Sequence, residues 1–228
     1  MNERPEDVTV LNVFTDANGQ YGNPLGVLLG TSGLPNDSCQ RIATELGFSE
    51  TVFIDDPASA TLRIFTPAVE LPFAGHPLVG TAWLLKRLGF DPPFLAPPAG
   101  AVPFETDGAH CSITAEVEWC PAWTFREVTS VAELEGEHPG EAEGAEVVWA
   151  WMDREEGIVR VRVFASAVGV CEDEATGSAA LPLAMRLGRQ ITILQGRGSV
   201  LSAGPVSSTA AKVGGLVSIG ASIPLPSV

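Results

Sequence analysis

Two blocks of this chain occur twice, in the same order. "RIFTPAV" (Arg63 to Val69) returns as "RVFASAV" (Arg162 to Val168), sharing Arg, Phe, Ala and Val. "HPLVGTA" (His76 to Ala82) returns as "DEATGSA" (Asp173 to Ala179). One short gap aligns both, and the alignment sets His76 against Asp173, Gly80 against Gly177 and Thr81 against Ser178. Two echoes in a fixed order mark a repeated structural unit. The expected architecture is therefore a pair of pseudo-symmetric halves, each carrying the same strand-turn-helix device.

The pattern around the blocks supplies the elements. "VTVLNVF" (Val8 to Phe14) alternates and reads as a strand, and "GNPLGVLLG" (Gly22 to Gly30) as a turn and a buried strand. "PNDSCQRIATELGF" places Cys39, Ile42, Ala43 and Leu46 at helical spacing and stops at Gly47. Strands follow at Ser49 to Asp55 and Ala60 to Phe65. The run from Pro77 to Leu88 is apolar almost all round, which predicts a buried helix. A Pro-rich connector (Phe90 to Gly100) leads to strands near Ala101 to Glu105 and His110 to Val117. "WCPAW" (Trp119 to Trp123) reads as the crossing between halves, and acidic Glu133 to Glu146 as a solvated loop. Strands return at "VVWAWM" and "IVRVRVF", then an apolar helix over Ser178 to Leu187 with Pro182 in its early turns. Strands dominate, with one buried helix per half. This is an α+β chain, divided at 1–118 and 119–228, each half a mostly antiparallel sheet or barrel around a central helix. The last strand is free to return to the first half.

Charge and motifs exclude several function classes. A formal charge of −15 over 228 residues gives no basic face for nucleic acid or an anionic membrane. The polar start "MNERPEDVTV" has no secretory pattern, and no apolar stretch is long enough to span a bilayer. Cys39, Cys111, Cys120 and Cys171 form no CxxC pair, and with three histidines no metal site is expected. Each cysteine reads as a small buried hydrophobe in a reduced, cytoplasmic protein. "GxSxG", "GxGxxG" and "GxxxxGK[ST]" are absent from strand–helix contexts, so neither a serine hydrolase nor a nucleotide cofactor is expected.

The two helix-start blocks suggest a site for an anionic ligand. The first N–H groups of a helix lack intrahelical partners and carry partial positive charge. Two helix starts facing each other across a cleft would hold an anion from both sides. Glu50, set between Phe48 and Val52–Phe53, has an apolar setting that would raise its pKa toward neutrality, as a proton shuttle requires. His76 and Asp173 stand at the two helix starts.

At these residues the chain resembles the family of the phenazine-biosynthesis enzyme PhzF, which shares its two-half fold with diaminopimelate epimerase. The resemblance rests on "NVFTDANGQYGNPLGVLL", "IATELGFSETVFI", "LRIFTPAVELPFAGHPLVGTAWLL", "VRVFASAVGVCEDEATGSAA" and "LQGRGSVLSA". It implies a cofactor-free isomerase, a homodimer, and a dihydro-hydroxyanthranilate-like substrate. It places the catalytic glutamate on Glu50, with His76 and Asp173 in the pocket. Gly75, Gly177, Ser178, Thr81 and Asn23 are the expected substrate contacts. Glu174 departs from the pattern, standing where the family usually has proline, and the chain is short around Trp119 to Glu146. Two-thiol racemases of related fold are disfavoured, because His76 and Asp173 fill the slots of the thiols. A one-base amino- or hydroxy-acid epimerase and a non-catalytic anion-binding protein remain open.

Overall fold

The computed structural model describes residues 7–138, 145–166 and 170–226. The second copy of the Arg-Phe-Ala-Val block ends at Val168, outside these residues. In chain order the first half supplies β1 (Asp7–Thr15), β2 (Asn23–Leu29), α1 (Asn36–Leu46), β3 (Glu50–Asp56), β4 (Thr61–Phe65), β5 (Glu70–Leu71), α2 (Gly75–Arg87), β6 (Phe104–Asp107) and β7 (His110–Glu116). A 3-10 turn at Val117–Trp119 leads to β8 (Thr124–Glu127), α3 (Val131–Glu135), β9 (Ala145–Asp153), β10 (Ile158–Ala165) and β11 (Val170–Asp173). The chain ends with α4 (Gly177–Leu187), β12 (Ile191–Gln195), β13 (Ser199–Pro205) and β14 (Ala210–Pro224). Strands outweigh helices, and the architecture is α+β.

The duplicated unit is visible in the pairing. β2 runs parallel to β3 with α1 as the crossover, then β4 and β5 follow antiparallel, then α2. β8 runs parallel to β9 with α3 as the crossover, then β10 and β11 follow antiparallel, then α4. β12 then returns parallel to β10, as Ala96 bridges parallel to Thr61 at the start of β4. The segment from Glu133, expected as a loop, is therefore helical at its start, and β9 begins at Ala145. A parallel strand pair needs a crossover, and α3 fills in the second half the place that α1 fills in the first. Ser130 caps it by accepting from the Glu133 amide at 3.1 Å.

The repeated arginines explain why the blocks resemble each other. Arg63 on β4 bonds Asp55 through two nitrogens (3.0 and 2.6 Å) and donates to Leu34 O and Asn36 Oδ1 at the approach to α1. Arg162 on β10 bonds Glu172 twice (2.7 and 2.7 Å) and donates to the carbonyls of Leu134, Glu135 and Glu137 at the end of α3. Each guanidinium pins a crossover helix to its sheet, which one forked donor set can do and an ammonium cannot. Arg162→Lys is expected to lower stability by about 1–3 kcal/mol, since it strands carbonyls and splits a bidentate pair. Urea denaturation followed by circular dichroism measures it.

One continuous strand path runs β5-β4-β3-β2-β1-β14-β13-β12-β10-β9-β8. β14 lies mid-path and links the first group of strands to the second: it pairs antiparallel with β1, β7 and β13. Apolar residues of α2 (Leu78, Val79, Ala82, Leu85) and α4 (Ala179, Ala180, Leu183, Ala184) lie in one buried cluster with β1, β2 and β13 residues. Burial of each such leucine contributes about 1.5–3 kcal/mol. The core thus holds the two helices side by side, and their N-termini meet. Among the described residues no helix is long and apolar enough to cross a membrane. All four cysteines are free. Cys39 and Cys111 are buried as expected, but Cys120 is half-buried and Cys171 is exposed, because it lies on β11, off the main strand path.

Candidate active site

The starts of α2 and α4 touch backbone to backbone. A Cβ added to Gly75 would lie 2.6 Å from Gly177 C and 2.8 Å from Ser178 N. One added to Gly177 would lie 2.9 Å from Gly75 C and from His76 N. This reciprocal contact corrects the sequence alignment. Gly75–His76 is the structural counterpart of Gly177–Ser178, and Asp173 lies before its helix, not in it. The helix starts do not face each other across a cleft. They abut, and the ligand cavity opens beside their seam.

Thr81, matched to Ser178 in that alignment, is accordingly displaced. It sits inside α2, fully buried, and does not line the cavity. Neither helix start is capped by a side chain. Ala74 has no hydroxyl, and Thr176 donates its own to Asp173 Oδ2 at 2.6 Å. The first amides of both helices are therefore left to a ligand or water.

The cavity measures about 60 Å³. Its lining includes the polar side chains of Glu50, Asp173 and Ser178 and the apolar ones of Phe73, Pro121 and Trp123. The crossing segment "WCPAW" thus serves the site directly. Trp123 is held by an Nε1 donation to Ser178 O at 3.1 Å. Sequence reasoning marked this segment only as a connection, since an indole's role depends on what it packs against.

Glu50 opens β3. Its side chain is 15 % exposed, yet Oε2 is enclosed and has no hydrogen-bond partner among the described residues. Burial, and then the charge of Asp173, raise its pKa well above the ordinary carboxylate range. Asp173, buried at the end of β11, is also raised by burial, and donations from Thr176 and Asn23 oppose that rise. Like charges in one enclosed site cannot both ionise easily, so the pair shares its protons. His76 Nδ1 lies 3.4 Å from Glu50 Oε2. Burial pushes the His76 pKa down to about 3, so the contact joins a neutral imidazole to the carboxyl group and is not an ion pair.

A buried network holds Asp173. Gln195 Nε2 donates to Asp173 O and Thr176 Oγ1, both at 2.9 Å, and its Oε1 accepts from Thr176 N at 3.1 Å. Asn23 Nδ2 donates to Asp173 Oδ1 at 2.7 Å and Ala175 O at 3.0 Å. Asn23, expected to contact substrate, has its amide committed to protein atoms. Gln195 escaped the sequence reading because nothing in "ITILQ" distinguishes it from a strand-end residue.

Glu174 turns away from the cavity. Its Oε1 accepts from Arg197 N and Ser199 Oγ, both at 2.9 Å, and Ser199 Oγ in turn accepts from Gly22 N. It lines a polar depression with Arg160, Arg162 and Arg197, on the far side of Asp173, which borders both. Its carboxylate therefore ties the start of α4 to the β12–β13 turn and leaves the cavity mouth unaltered. No group of residues able to hold a metal ion occurs among the described residues.

Known proteins share the sequence and fold of this chain. A trans-2,3-dihydro-3-hydroxyanthranilate isomerase of Pseudomonas chlororaphis is 34 % identical over 77 % of this chain and 80 % of its own length. A structure from Pseudomonas aeruginosa described as a predicted epimerase superposes with TM-score 0.76 at 25 % identity, covering 98 % of this chain and 100 % of the other. The PhzF-family protein of Bacillus anthracis shares the fold, with TM-score 0.77 at 17 % identity over 97 % of this chain and 99 % of its own. The sequence profile of phenazine biosynthesis-like proteins matches residues 11–143. The two halves, the duplicated crossover and the shared sequence lead to one assignment: this chain belongs to the phenazine biosynthesis-like (PhzC-PhzF) family and is an isomerase.

Proposed function

We propose that the protein is a cofactor-independent isomerase that carries a proton between two carbons of a small carboxylic acid, with Glu50 as the general acid and base. The observation behind it is a carboxyl pair, Glu50 with its enclosed Oε2 and buried Asp173, lining one small, largely apolar cavity. A group that must both take and give a proton near neutral pH needs a raised pKa, and burial beside Asp173 provides it. The uncapped amides at Gly75–His76 and Gly177–Ser178 suit the ligand carboxylate. Neutral His76 orients the Glu50 carboxyl without an opposing charge that would lower its pKa. Phe73 and Trp123 suit the face of a six-membered ring.

The substrate class is taken from the isomerase relatives, a trans-2,3-dihydro-3-hydroxyanthranilate. The proposal extends to a division at 118/119, a homodimer and a cytoplasmic setting. The repeated β–α–β–β–β–α order supports the division, and four unpaired thiols support a reducing compartment.

The test is isomerisation of trans-2,3-dihydro-3-hydroxyanthranilate in D2O, followed by NMR, beside a panel of amino and hydroxy acids. Isomerised product carrying deuterium at carbon is expected. Exchange at the α-carbon of an amino acid alone would assign an epimerase. Binding without exchange or isomerisation would assign an anion-binding protein.

A further inference from the structure

Asn23 is 2 % exposed and joins β2 to the acid pair of the site. Its orientation is not a free choice. The Asp173 carboxylate and the Ala175 carbonyl only accept, so the amino group must face them, at 2.7 and 3.0 Å. The amide oxygen then faces Ser49, whose Oγ donates to it at 3.1 Å. A serine hydroxyl has one proton, and Ser49 gives it to Asn23. The Asn23 amino group in turn favours ionised Asp173 over its acid form. The charge of Asp173 then favours the acid form of Glu50. The chain has one direction: Ser49 to Asn23, Asn23 to Asp173.

We propose that Asn23 is a positioning residue that decides which carboxyl holds the shared proton, keeping Glu50 the acid and Asp173 the carboxylate in the resting site. Gln195 and Thr176 hold the other side of Asp173 and leave its Oδ1 to Asn23. The remaining titratable or charged groups nearby are neutral His76 on α2, Glu172 and Glu174 beside Asp173, and Arg160, Arg162 and Arg197 on the outer side. None of them bonds Asn23. The catalytic meaning of this device rests on the function proposed above, but its test does not.

The experiment is site-resolved 13C NMR titration of the Glu50 and Asp173 carboxyls in wild type, Asn23→Ala and Asn23→Leu. In Asn23→Ala the Asp173 midpoint should rise and the Glu50 midpoint fall. Their separation should change by about one to two pH units, the scale of one hydrogen bond to a charged group. Unmoved midpoints in folded Asn23→Ala would overturn the proposal. If Asn23→Ala does not fold, Asn23→Leu, which keeps the volume and removes the donor, carries the same expectation and the same overturning result. If wild type proves inactive on every acid tried, the function fails while the titration still judges Asn23.

Discussion

Glu50→Gln is expected to lower isomerisation and carbon exchange by about 10²–10⁴-fold, the span of a positioned general acid–base group. Glutamine keeps the size and polarity of the side chain but cannot carry a proton to and from carbon. The fold should not suffer, and the pH dependence tells why. Glu50 has a folded-state pKa raised above its unfolded value. Such a group binds more protons folded than unfolded, so the wild type loses stability as pH rises from about 4.5 through the folded-state pKa. Glutamine does not ionise and escapes that loss. Relative to wild type, the variant's melting temperature should rise across this window, and the difference should be pH-independent below it. Differential scanning fluorimetry from pH 4 to 9, beside the activity assay, measures both. Full activity in Glu50→Gln would remove Glu50 from the chemistry.

Gly75→Ala is expected to be strongly destabilising. The new Cβ would meet Gly177 C at 2.6 Å, Gly177 Cα at 2.7 Å and Ser178 N at 2.8 Å, all backbone atoms. No rotamer can relieve that contact, so the starts of α2 and α4 must separate. A cost of about 3 kcal/mol or more is expected, at or beyond the upper end of ordinary overpacking. Gly80→Ala is the control. Its Cβ would press on Leu25 Cδ2 and Val13 Cγ2, which are side-chain ends able to yield, so a smaller cost is expected. Denaturant titration of both variants gives the comparison. Gly75→Ala should also lose ligand affinity where it remains folded, because the separated helix starts no longer present their amides together. Equal costs for the two variants would count against a close backbone seam.

Much of this molecule was legible before any fold was known. Strand alternation, the all-round apolar helix at α2 and the Gly47 stop (φ 68°) are local properties, set by a few neighbouring residues. The repeat announced two like halves, because equivalent positions such as Arg63 and Arg162 must do equivalent work. Family resemblance marked Glu50, His76 and Asp173; the structure sets Glu50 and Asp173 on one cavity and His76 behind it, 3.4 Å from Glu50. Three things were not legible. The register between halves was misread, because similar letters (Gly-Thr-Ala and Gly-Ser-Ala) align more easily than the two glycines that actually touch. α3 was hidden in an acidic stretch whose composition suggests solvent, since only a parallel strand pair requires a crossover there. The work of Asn23, Ser49 and Gln195 depends on hydrogen bonds between residues up to about 150 positions apart. Sequence determines which side chains can donate or accept. Only packing of the halves decides which partners they meet, and with that which of two buried carboxyls keeps the proton.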